Sequence, residues 1–238
     1  STPGKISSFG ALISPPPIDL VATGGSSTGF ARAEDGRLFA WGANFSGALG
    51  TGSGQNSKRF PDQVVFPDPA GTPVAIFPGP SGSLAVDDLG QLWGWGGNDR
   101  GQVTHLDSRD TINEPVRIVS QGGASLRYQW AMRSSFASYA MDFYGRLWAW
   151  GGNSRGGLGQ GDFEEREGHF PVDLSRLGGS AVLAADTSGD GGVMIEDSSR
   201  RVWGWGMGSL MPNGFRSHEP LSVLIQDRPD GRPDVKVS

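Results

Sequence analysis

Few residues in this chain could perform chemistry. Its only imidazoles are His105, His169 and His218, and it has no cysteine in 238 residues. A disulfide framework, a thiolate metal site and a cysteine nucleophile are thereby excluded. His169 and His218 each stand two residues before a proline, Pro171 and Pro220, which gives them equivalent places in successive segments. Equivalent places in repeated units point apart, so all three histidines are read as solvated loop residues and not as one metal site. The stretch Asp186-Thr187-Ser188-Gly189-Asp190-Gly191-Gly192 resembles a calcium loop but lacks the alternating acidic ladder and a distal glutamate. It is read as a Gly-rich turn. Glu164, Glu165 and Glu167 form a solvated acidic loop, and Asn44-Phe45-Ser46 fits a glycosylation sequon only because it falls inside a repeated turn. No nucleophile motif or phosphate-cradling loop is present. We therefore expect no enzyme, no metal and no cofactor.

What would position any functional residue is a repeat. The segment Asp35-Gly36-Arg37-Leu38-Phe39-Ala40-Trp41-Gly42 returns as Leu89 to Gly96, Tyr144 to Gly151 and Ser199 to Gly206, with Trp41, Trp95, Trp150 and Trp205 spaced 54, 55 and 55 residues apart. A second element follows in three copies: Asn44 to Gly50, Asn98 to Val103 and Asn153 to Gly159. A third is a proline opening a β-branched or aliphatic run, at Pro61, Pro115, Pro171 and Pro220. A period near 55 residues is the signature of stacked units.

Each unit reads as four strands. In the first, these are 18–23, 29–34, 37–42 and 63–66, with a tight turn at Asp35-Gly36. Side chains alternate along a strand, so Phe39 shares a face with Trp41, as do Trp93 with Trp95, Trp148 with Trp150, and Trp203 with Trp205. The opposite face carries Ala40, Gly94, Ala149 or Gly204. A bulky face on one sheet and a thin face on the next is what stacking requires, so these eight aromatics are assigned to the core. A carbohydrate platform, a methyl-lysine cage or a light-sensing cluster is the alternative use of such tryptophans. Trp130, the one tryptophan outside the motif, is also expected to be buried.

These residues resemble the regulator-of-chromosome-condensation repeat family, whose signature is matched best at Gly36 to Gly50 and Gly145 to Gly159, and the resemblance spans roughly residues 18–234. It implies a β-propeller, as does a radial array of four-stranded units. Family members include an exchange factor for a small nuclear GTPase, an ultraviolet-B photoreceptor, inhibitors of β-lactamase and bacterial effectors, so the fold alone names no activity. Seven blades are usual in the family, whereas this chain supplies about four. The family's Gly-x-x-His before the second strand is replaced by Gly24-Gly25-Ser26-Ser27.

The expected architecture is thus an all-β propeller of about four blades in one domain: repeats 18–73, 74–125, 126–180 and 181–233, with fragments of a further blade at 1–17 and 234–238. We expect the two terminal fragments to close a small ring, an open arc completed by another subunit being the alternative.

Composition narrows the partners. The formal charge is −5, with 17 Arg against 3 Lys and no run of five or six like charges, which argues against nucleic acid. No apolar stretch reaches transmembrane length and the first residues lack a signal-peptide layout, so a soluble chain is expected. Binding is what remains. The connections at 43–60, 97–114, 152–170 and 207–219 leave one face of the disc and vary while the blades repeat. They carry Phe45, Arg59, Arg100, Arg109, Phe163, Arg166, Phe215 and Arg216, residue types that anchor interfaces. Phe60 and Phe170, each close to a proline, are read as pinning their loops to the blade. The leading reading is a protein-binding module, including a structural subunit of a virion or secretion particle. Next come a regulator or inhibitor of a GTPase or other enzyme, and a glycan-binding or hydrolytic propeller with paired carboxylates over its channel.

Overall fold

The structure is a computed structural model, which describes residues 17–24, 27–67, 70–104, 109–120, 126–207, 217–227 and 233–237. Among the described residues, seventeen strands form four antiparallel sheets, one per repeat, in simple up-and-down order. The first blade is β1 (Ile18–Gly24), β2 (Thr28–Ala33), β3 (Leu38–Ala43) and β4 (Ser57–Val64). The second is β5 (Pro73–Pro78), β6 (Gly82–Asp87), β7 (Leu92–Gly97) and β8 (Thr111–Ile118). The third is β9 (Tyr128–Arg133), β10 (Ala137–Asp142), β11 (Leu147–Gly151) and β12 (Arg166–Pro171). The fourth is β13 (Val182–Thr187), β14 (Val193–Asp197), β15 (Val202–Gly206) and β16 (Ser217–Asp227), and it gains a fifth strand, β17 (Pro233–Val237).

The second-to-third-strand turn needs a residue with positive φ. Glycine supplies it at Gly36, Gly90 and Gly145, while the fourth blade holds Arg200 there at φ 63°. That conformation is strained for a residue with a Cβ.

Blades stack as the large–small alternation demands. Trp93 and Trp95 lie in one core with Phe30, Leu38, Ala40 and Leu49 of the preceding blade. Trp150 packs with Leu84, Leu92 and Ile118, and Trp203 and Trp205 pack with Tyr139, Leu147, Ala149 and Leu158. Phe39, Trp93, Trp95, Trp150, Trp203 and Trp205 are buried as expected. Trp41 and Trp148 are only half-buried. Trp41 belongs to the first of the four described sheets, and its ring lies over Gly29, where an added Cβ would come within 2.6 Å of it. Trp130 is also half-buried, because β9 is an inner strand and the ring lines the central cavity.

Inner strands lie side by side, β1 on β5, β5 on β9 and β9 on β13. Val21 on β1 and Leu183 on β13 are exposed. Closure of a ring by the two terminal fragments stays an expectation, because its N-terminal member lies outside the described residues. The C-terminal strand differs from expectation. Instead of starting a further blade, β17 pairs antiparallel with β16, Val223 opposite Val237 and Asp227 opposite Pro233. The reason is that β16 runs for eleven residues, against eight in β4 and β8, which leaves an edge long enough to pair. The matching fragment at Gly4 to Ser7 lies outside the described residues.

Candidate functional site

Antiparallel order sends the long connections after β3, β7 and β11 to one face and the tight turns after β2, β6, β10 and β14 to the other. On the loop face one side chain organises each connection. Asn44 donates its amide to the carbonyls of Ser53 and Gln55 and accepts from the Leu49 N–H. Asn98 donates to the Arg109 carbonyl and accepts from the Val103 and Thr104 N–H groups, while Asn153 donates to Asp162 and Glu164 carbonyls and accepts from Leu158. All three are buried. Asn44 is thereby removed as a glycosylation acceptor.

The turn so formed is the seat for the next blade's tryptophan. Trp95 donates its indole N–H to the Ala48 carbonyl at 2.9 Å, and Trp205 does the same to Gly157 at 2.8 Å. The close approach requires glycine: a Cβ on Gly50 would lie 2.8 Å from the Trp95 indole nitrogen, and one on Gly159 2.9 Å from that of Trp205. Loops are also latched forward onto the neighbouring outer strand, Gly52 N–H to the Asn113 carbonyl and Gly161 N–H to the His218 carbonyl. A loop held at two points by the next blade presents its side chains from a rigid base.

Opposite each second tryptophan the outer strand bulges. Three residues, 59–61, face Trp41 between the pairs Gly42–Lys58 and Ala40–Asp62, and 113–115, 167–169 and 218–220 do so in the other blades. The third bulge position is buried in all four and is held by Pro61, Pro115, His169 and Pro220. This corrects the reading of the histidines. His169 takes the place of a proline and lies edge-on to Trp150, ring centres 4.1 Å apart, whereas His218 occupies the first bulge position. The two are neither equivalent nor solvated loop residues, and aligning Pro171 with Pro220 concealed it by two residues. His105 lies outside the described residues.

The predicted anchors divide into two groups. Arg100 pairs with Glu165 at 2.7 Å and so ties the second blade's loop to the third's. Arg166 pairs with Asp162 and stacks over Phe170, and the Asp162 carboxyl is held below the usual carboxylate range, chiefly by that guanidinium. Arg109 lies 3.9 Å from Glu114, and Phe163 meets the His218 ring edge-on at 5.0 Å. These residues hold the face together. The second group stands out from it: Phe45 is 62% exposed and Phe60 is 56% exposed, with the Arg59 guanidinium stacked over its ring. Phe60 does not pin its loop, because the bulge turns it outward. Phe215 and Arg216 lie outside the described residues.

A cavity of about 670 Å³ opens along the axis, lined by β5, β9 and β13 and the turns beside them, including Phe77, Trp130, Leu183 and Asp186. Asp186 is the one carboxylate among its described lining residues, whereas glycosidic hydrolysis uses two. At its edge Arg133 is buried, donating to the carbonyls of Trp95 and Gly97, and burial pushes its guanidinium pKa down to about 9. Sequence reasoning missed Arg133, whose place at a strand end looks like surface. Among the described residues no cluster of His, Asp and Glu has metal-binding geometry.

Comparison with known proteins places this geometry. The family model described as "Regulator of chromosome condensation (RCC1) repeat" matches residues 35–86 and 144–194. The ultraviolet-B receptor UVR8 of Arabidopsis thaliana is 28% identical over 90% of this chain and 47% of its own length. The mouse E3 ubiquitin-protein ligase HERC2 is 30% identical over 95% of this chain and 5% of its length. Among solved structures, human WBSCR16 superposes with a TM-score of 0.72 at 16% identity, over 87% of this chain and 53% of the other. Yeast RCC1 (Prp20), solved bound to Kap60, superposes at 0.65 and 17% identity, over 89% of this chain and 49% of the other. The chain thus spans about half the length of these structures and less than half that of the curated relatives.

Proposed function

We propose that this chain, an RCC1-like repeat propeller by its similarity to that family, is a protein-binding module that regulates the partner it holds on its loop face. One observation carries the reading: Phe45, on the connection that buried Asn44 and the Gly52 latch hold rigid, and the stacked Arg59–Phe60 pair, in the β4 bulge where that connection ends, stand exposed. Aromatic and arginine anchors on a pre-organised base are what a protein interface needs, since little ordering entropy is lost on binding. Regulation in place of assembly fits the relatives better: they include a receptor and a ligase, and a solved relative, Prp20p, is described by its binding to Gsp1p and histones. A virion or secretion-particle subunit finds no support among them.

The test uses a partner recovered on the full-length chain and then purified. Replacing Phe45 and Phe60 together by Ser should weaken its binding by about a hundredfold, as loss of two interface anchors does, with the melting temperature unchanged. Adding the chain to the partner should alter the partner's own rate, such as nucleotide exchange for a GTPase. Unchanged affinity in the double variant overturns the loop-face reading.

A further inference from the structure

The opposite face carries a second candidate surface. Its tight turns are polar in the first and fourth blades, Glu34-Asp35 and Ser198-Ser199, but in the third the tip is Phe143-Tyr144. Phe143 is 61% exposed and Tyr144 83%, and neither is used by any of the interblade cores. Leu89, at the matching tip of the second blade, is 51% exposed. Arg127 joins the tips into one patch: its Nε donates to the Leu89 carbonyl at 3.0 Å, its guanidinium stacks over the Phe143 ring, and its carbonyl accepts from the Phe143 N–H. Arg146 stacks over Tyr144 on the far side.

We propose that this patch, Leu89, Arg127, Phe143, Tyr144 and Arg146, docks a segment of a partner protein that presents an acidic side chain beside an apolar one. The turn itself does not need two exposed aromatics, because the polar tips of the first and fourth blades close the same turn. Charge complementarity selects the occupant. Arg146 is neutralised by buried Asp142, but Arg127, bonded to the Leu89 carbonyl, has no carboxylate partner among the described residues, so the patch holds a cation stacked on an aromatic and open to an incoming carboxylate. A polyanion such as single-stranded nucleic acid fits less well, since Asp88 adjoins Leu89 and the chain carries a net charge of −5.

The experiment selects a random peptide library on the immobilised full chain and measures enriched peptides by fluorescence anisotropy. Enriched peptides should combine Asp or Glu with Leu, Ile or Phe. Their affinity should fall by about tenfold or more for Tyr144→Ser and for Arg127→Ser, while Phe45→Ser leaves it unchanged. Both positions are exposed, so folding should persist, which melting checks. The proposal is overturned if no peptide is enriched, if enriched peptides lack acidic residues, or if the two variants bind as the parent does. Displacement of the peptide by a single-stranded oligonucleotide, or patch-dependent self-association of the chain, also overturns it in favour of that other occupant. The loop-face reading stands or falls separately, on Phe45 and Phe60.

Discussion

The indole N–H of Trp148 donates to Oδ2 of Asp142 at 2.9 Å, across the turn that joins β10 to β11. Trp93 makes the same bond to Asp87, and Trp203 to Asp197. Where the first blade has Phe39 instead, the acidic position is Ala33, and the two pack against each other. Donor and acceptor are exchanged together, as expected for a buried pair in which either member alone would be left unsatisfied.

That pairing predicts a coupling. Asp142→Ala should cost about 1–3 kcal/mol, since it strips an acceptor from Trp148 and from the N–H groups of Tyr144 and Arg146. The double variant Asp142→Ala/Trp148→Phe reproduces the first blade's solution, so its cost should fall below the sum of the single costs by about 1 kcal/mol in urea unfolding. Strict additivity would show that the pair is not a unit.

Acid should loosen the same turns. Burial works against the charged forms of Asp142 and Asp197, but the indole, backbone N–H and guanidinium donors outweigh it and hold both carboxyls below their ordinary value of 3.8. A carboxyl lowered by folding stabilises above its unfolded pKa, and that contribution is lost as pH falls through the folded value. The urea midpoint should therefore hold down to about pH 4 and drop below it. Asp197→Asn should make the drop shallower; an equally steep loss would assign the acid sensitivity elsewhere.

Gly50 and Gly52 both have positive φ, 69° and 71°, but a Cβ at Gly52 meets nothing within 4 Å while one at Gly50 strikes Trp95. Gly52→Ala should cost only the backbone strain, about 1–2 kcal/mol. Gly50→Ala should cost clearly more, by thermal or urea unfolding, because it also unseats the tryptophan. Equal costs would remove the seat from the account.

Arg200 is the reverse case. At φ 63° it does what glycine does in three other blades, and its ion pair with Glu196 is exposed and worth little. Arg200→Gly should raise stability by about 1 kcal/mol. A destabilised variant would mean that the side chain contributes more than its contacts indicate.

Much of this fold was legible in the sequence, because the repeat states its own logic: an aromatic pair facing a thin strand, at constant spacing, can satisfy both faces only by stacking. The asparagine of the second element was visible as a letter, but its purpose was not, since its bonds run to carbonyls nine and eleven residues onward. The place of the last strand was misjudged, because the pairing of β17 with β16 depends on the length of β16's free edge, which no residue encodes locally. The site was legible only as a set of loops. Which arginines are free to meet a partner depends on neighbours from other blades: Arg100 is engaged by Glu165, 65 positions away, and Arg133 by Trp95 and Gly97.

The central claim, a partner held on the loop face, is tested most directly by hydrogen exchange on the complex with a purified partner. Slowed exchange should concentrate in residues 44–60, with the neighbouring loops at 98–104 and 152–165, and leave the turns 34–37 and 198–201 unchanged. Protection confined to the turn face, or to the edge strand β17, with residues 44–60 exchanging as in the free chain, would contradict it.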